Sequence, residues 1–192
     1  MQSHASRHVA SEFLKDLHPD LSEPFPKDVI TEEIAIAYGR RGITKLVAVL
    51  ALPDDLLPDE DERAHALRMF NALLSTQEQK TDAAAQGASD PLIALVTRSP
   101  SEEVRRLAAQ GLASIAQVMG GRQAVIDAGG IPALTAALNT APEAAAGALK
   151  VFASCNDGVA LLGPSLDSVV PALVTLITKP MGAGVTVGAY IA

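Results

Sequence analysis

The sequence predicts an all-α, right-handed solenoid of stacked helical repeats behind a largely extended N-terminal arm. Three observations carry that reading. The first is internal repetition. The stretch SEEVRRLAAQGLASIAQVMGGRQAVIDAGGIPALTAAL, residues 101–138, has weaker copies on both sides. Gly129 follows Gly87 by 42 residues, as Leu134 follows Leu92, Ala108 follows Ala66 and Leu112 follows Phe70. Leu149 then follows Leu112 by 37 and Leu173 follows Leu134 by 39. The second is composition: 48% of residues are hydrophobic but only 3% aromatic, with no Trp. Small apolar side chains suit closely stacked helices better than a sheet, which favours β-branched and aromatic pairs. The third is punctuation. Gly129 and Gly130 can end a helix in the left-handed conformation, and Pro132 fits the first turn of the next. Such units cannot bury their apolar faces alone, so neighbours must stack.

Residues 1–32 are not repeat-like. Val9, Phe13 and Leu17 recur at helical spacing, and Phe13 is the apolar anchor a partner would meet. Pro19, Pro24 and Pro26 predict extended chain after it. Residues 33–52 read as a partial repeat, since Gly42 precedes Leu46 as Gly130 precedes Leu134. The acidic run LPDDLLPDEDE, residues 52–62, reads as a solvated loop. Repeats follow at about 60–98, 99–139 and 140–180. Their helices are predicted at 62–76, 89–98, 101–117, 131–139, 143–155 and 168–178, with short helices at 78–86 and 122–128. Residues 181–192 begin an incomplete repeat, making 33–192 one repeat domain. Ala108, Leu112, Ile115, Leu134 and Leu138 are the predicted core. The last repeat lacks a polar cap, which leaves a face bearing Leu149, Phe152, Leu173 and Ile177, with Tyr190 beyond it, partly open, to be covered either by a continuation of the natural chain or by another subunit.

The formal charge of −7 argues against a nucleic-acid or anionic-membrane partner. No apolar run of about 18–20 residues is expected to span a bilayer. The one cysteine, Cys155, excludes an internal disulfide, fits a reducing compartment, and reads as a small buried filler of an Ala-rich helix. No catalytic, metal or cofactor constellation stands out. His4 and His8 are spaced for a helical metal clamp but have no third ligand nearby. Gly163-Pro164-Ser165-Leu166-Asp167 lacks the final Gly of a nucleophile elbow and reads as a turn, with Asp167 or Ser168 capping the next helix. Glu102 and Glu103 belong in a first helical turn. The chain is therefore not expected to be an enzyme.

The residues Val125-Ile126-Asp127-Ala128-Gly129-Gly130-Ile131-Pro132-Ala133-Leu134 resemble the junction between the second and third helices of an armadillo repeat. The period lies in or near the range of about 40–47 residues typical of HEAT and armadillo proteins. The resemblance implies a groove lined by third helices that holds extended peptides. The polar candidates on those helices are Thr44, Lys45, Thr135, Asn139, Thr175 and Thr178. Arg105 and Arg106, at a helix start, are candidates for an acidic partner. Ile36-Ala37-Tyr38-Gly39-Arg40-Arg41-Gly42-Ile43-Thr44-Lys45-Leu46 is similar to the opening segment of the armadillo-repeat radial-spoke proteins of motile cilia and flagella, the radial spoke head 14 homologue family. That likeness implies a non-catalytic structural subunit of a large axonemal assembly, holding other spoke proteins through its solenoid surface and N-terminal arm. Tyr38, Arg40 and Arg41 would contact them, with Gly39 and Gly42 turning the backbone to leave both arginines at a rim. The alternative is a cytosolic adaptor for linear peptides.

Overall fold

The computed structural model describes residues 39–178 apart from residue 58, with side chains from residue 41 onward. The arm at 1–32, Phe13, Tyr38, Tyr190 and the incomplete repeat at 181–192 lie outside the described residues. Among the described residues the chain is helical throughout, with no strand.

The first helix, α1 (Gly39–Leu50), packs on the long α2 (Glu60–Leu73). A short helix, α3 (Gln77–Ala85), a middle helix, α4 (Ser89–Arg98), and a long helix, α5 (Glu102–Ile115), complete one unit. The next unit is α6 (Met119–Asp127), α7 (Gly130–Ala137) and α8 (Pro142–Ala153). It is followed by α9 (Asn156–Leu162), a single 3-10 turn at Gly163–Ser165, and α10 (Leu166–Thr178). Like packs on like: α2, α5 and α8 form one row, α3, α6 and α9 a second, and α4, α7 and α10 a third. This is an α-solenoid.

Local chemistry sets the boundaries. Asp59 caps α2 by accepting from the Asp61 N–H at 2.8 Å, and Thr76 with Gln79 forms a reciprocal capping box on α3. Ser101 accepts from the Val104 N–H at 3.4 Å, beside Glu102 and Glu103 in the first turn of α5. Gly87 and Gly129 have φ of 72° and 80°, the left-handed conformation that turns each short helix into its middle helix. The third unit lacks this left-handed glycine, and the 3-10 turn through Gly163 and Pro164 takes its place. Asp167 and Ser168 lie inside the first turn of α10 rather than capping it; the Ser168 hydroxyl donates to the Ser165 carbonyl at 2.8 Å. Helix α9 has no counterpart in the helices predicted above, yet Asn156 follows Met119 by the repeat's own 37 residues.

One continuous core runs from Ile43 to Val169 and includes Ala108, Leu112, Ile115, Leu134 and Leu138, as expected. Three readings need correction. The acidic segment is not a simple solvated loop: Leu52, Leu56 and Leu57 are buried, while Asp54, at 90% exposure, and Asp55 face water. The buried Arg63 guanidinium holds it, donating to the Leu57 carbonyl at 2.6 Å and to Asp54 at 2.8 Å. Cys155 is half-buried at the N-cap of α9, not inside a helix. Finally, Asn156–Thr178 is a helical stretch of 23 residues with mean hydropathy 1.7, which passes the length and composition test for a membrane span. The interruption at Gly163–Ser165 and the packing of α9 on α8 and of α10 on α7 make it two helices of a repeat.

Candidate binding surface

Binding in a solenoid depends on which side chains each row leaves in solvent. In the long-helix row, positions 42 and then 37 residues apart are equivalent, and Arg68, Gln110 and Gly147 fall in one such column. All three are exposed. Beneath them the row is tied together: the Asn71 side chain donates to the Leu107 carbonyl at 3.0 Å, from α2 to α5. On the surface, Arg68 pairs with Glu103 at 2.7 Å across the same two helices. Arg106 lies 3.6 Å from the same carboxylate, one turn along α5. These groups are about half exposed, so each pair contributes only about 0.2–1 kcal/mol. One carboxylate between two guanidinium groups leaves that patch with a net positive charge.

From Arg106 and Gln110 a trough of about 810 Å³ continues over Gly147 and Lys150 on α8 to the apolar side of α10. The Gly147 position is open, since a Cβ there would meet nothing within 4 Å. Its far wall is aliphatic: Leu166, Val170 and Ile177 are 42%, 50% and 68% exposed.

The candidate residues do not converge on this surface. Arg106 does lie on it. Arg105 does not reach outward: it is half-buried, and its guanidinium donates to the carbonyls of Ser99 and Pro100 at 2.7 and 2.9 Å, closing its own inter-helix turn. Phe152 cannot be a contact, because it is fully buried at 0% exposure; Leu149 is buried too, so the open face belongs to α10 alone. Lys45, Thr135 and Asn139 belong to the other face of the unit. Lys45 is half-buried on α1, the Thr135 hydroxyl donates to the Ile131 carbonyl at 2.8 Å, and Asn139 is exposed just past α7. The Gly129–Gly130 junction joins a short helix to a middle one, so the third helix of each unit, counted from the short one, is the long helix. Gly39, Arg40, Arg41 and Gly42 form the first turn of α1 rather than a bend, and Arg41 is exposed there.

Composition hid Arg68, Glu103 and Gln110, because single polar residues on a helix read as ordinary surface. The repeat offset was the available signal: it places Arg68 and Gln110 in one column, and Arg63 and Arg105 in another. That second pair shares a role, each closing a turn by donating to the carbonyl six residues earlier.

The short-helix row is held differently. Arg122 is buried, donates to the Ala116 carbonyl at 2.9 Å and grips Asp157 through two nitrogens at 2.9 and 2.6 Å, joining α6 to α9. The hydrogen bond from Arg122 holds the Asp157 carboxyl below its ordinary value of 3.8. No group of three or more His, Cys, Asp or Glu side chains that could hold a metal occurs among the described residues.

Comparison with solved structures bears directly on this architecture. A designed armadillo repeat protein in complex with the peptide (KR)4 superposes with a TM-score of 0.59, at 19% identity, over 92% of this chain and 84% of that one. The fold is armadillo-like. An engineered protein gives a TM-score of 0.65 at 24% identity, over 89% of this chain and 74% of that chain. A further designed armadillo repeat protein gives 0.57 at 18%, over 92% of this chain and 86% of the other. No family model matches the sequence, and no curated protein matches it.

Proposed function

We propose that the chain is a non-catalytic scaffold that binds extended segments of other proteins along its long-helix row. The observation that carries this is the exposed column Arg68–Gln110–Gly147, flanked by the Arg68–Glu103–Arg106 cluster and open over Gly147. A rigid stack of helices repeats its surface at regular steps, which suits a ligand that itself repeats, an extended peptide. The likeness to a designed repeat protein bound to (KR)4 supports a peptide as ligand. The positive patch here favours peptides carrying a carboxylate rather than that basic sequence. Display selection with a library of extended peptides tests this. Peptides should be enriched on the chain, and the enrichment should vanish when Arg68, Arg106 and Gln110 are all changed to Ala. Failure to enrich any peptide, or enrichment that survives the triple substitution, overturns the proposal.

A finer reading makes the scaffold a subunit of the axonemal radial spoke. It rests on the segment Ile36–Leu46 alone. Its partners would be other spoke proteins, with the arm at 1–32 and Arg41 as contacts and the cilium or flagellum as its location. High-salt extracts of axonemes should then contain the protein, and deleting residues 1–32 should weaken its incorporation without unfolding the repeats. Recovery in the soluble cytoplasmic fraction only would instead favour a cytosolic peptide adaptor.

A further inference from the structure

The trough between α8 and α10 lies where the repeat pattern would seat a further long helix. Each long helix rests on two elements: the long helix before it and its own middle helix. Thus α5 lies on α2 and α4, and α8 lies on α5 and α7. The equivalent seat after α10 would be formed by α8 and α10, and those helices supply the trough's floor and far wall. Among the described residues, three of the exposed large hydrophobic side chains, Leu166, Val170 and Ile177, line that wall. A volume of about 810 Å³ falls within the ~300–1,000 Å³ of small-molecule clefts. The wall, however, is aliphatic along its length, and polar groups gather only at the α5 and α8 side.

We propose that the occupant of this seat is the chain's own segment 180–192, which lies outside the described residues. The sequence of that segment repeats α8 at an offset of 38. Pro180 corresponds to Pro142, Ala183 to the buried Ala145, Val187 to the buried Leu149 and Tyr190 to the buried Phe152. The one mismatch among the buried positions is Thr186 in place of Ala148. A threonine can turn its hydroxyl back to a carbonyl of its own helix. No residue from 180 to 192 is charged, which matches an uncharged wall. Gly182, Gly184 and Gly188 each cost about 1 kcal/mol in a helix interior. The segment is therefore a poor helix on its own, and docking and helix formation occur together. Tyr190 then serves inside the chain rather than as a contact for another protein, and the α10 wall is closed to the peptide ligand proposed above.

Hydrogen exchange followed by mass spectrometry on the 192-residue chain tests this. In the monomer, amides of residues 182–191 should exchange at least ~10-fold more slowly than in the free peptide of the same sequence. Val170→Asp, at a half-exposed position on the trough wall, should abolish that protection while α2–α7 keep theirs. Val187→Asp, which alters the segment and not the wall, should do the same. Free-peptide exchange rates at 182–191 in the unsubstituted chain would overturn the proposal. So would protection that survives both substitutions, or protection that appears only as protein concentration rises, the mark of a second copy covering the face.

Discussion

At the scale of single residues, packing and charge give separate tests. Leu112 is fully buried in the last turn of α5, so Leu112→Ala should cost about 2–5 kcal/mol in urea unfolding through the cavity it leaves. Asp157 gives a pH test. Its folded pKa is depressed by Arg122, so the interaction is fully present above 3.8 and is lost as pH falls through the lower folded value. Stability should therefore fall in acid below about pH 4, and Asp157→Asn should flatten that fall. An acid profile identical in the two proteins would contradict the assignment. The core leucines were legible because helical periodicity marks them. Arg63, Arg105 and Arg122 were not. A sequence rule places arginine in solvent, and only the fold reveals that each spends its donors on a carbonyl six residues back.

At the scale of elements, most helices of the repeats were readable from period and caps, with ends displaced by one or two residues in most cases. Two elements were not. Helix α9 escaped because the left-handed glycine that ends α3 and α6 is replaced by a Gly-Pro turn. The acidic segment was judged by its carboxylates, and Pro53 and Pro58 interrupt the helical spacing of Leu52 and Leu56. The structure makes that segment an anchored loop, and Arg63→Leu tests the anchor. Losing its guanidinium strands the Leu57 carbonyl, so the substitution should cost about 1–3 kcal/mol in denaturant. It should also open residues 53–57 to proteolysis, and unchanged cleavage there would count against the anchor. The polar candidates Thr135 and Asn139 fall with the middle helix rather than the third for a related reason: the phase of the repeat, which decides whether the middle or the long helix comes third, is not written in any single junction.

At the scale of the whole molecule, contacts join mainly neighbouring units, so stability should be distributed in steps along the chain. Val169→Ala, near the far end, should raise hydrogen exchange in α9 and α10 while α2–α5 remain protected; a uniform loss would show a single cooperative unit instead. The period itself can be read in another way. At Gly121 an added Cβ would lie 2.0 Å from the Ile115 carbonyl oxygen, and at Gly158 it would lie 2.2 Å from that of Phe152. Backbone cannot retreat from such an overlap cheaply, so alanine at either position should lower the melting temperature sharply. These glycines stand 37 residues apart, as do Ile115 and Phe152. A saturation-mutagenesis map of the chain, scored only for folded yield, would then show the same intolerance twice at that spacing, and the architecture could be recovered from the pattern of forbidden substitutions with no alignment at all.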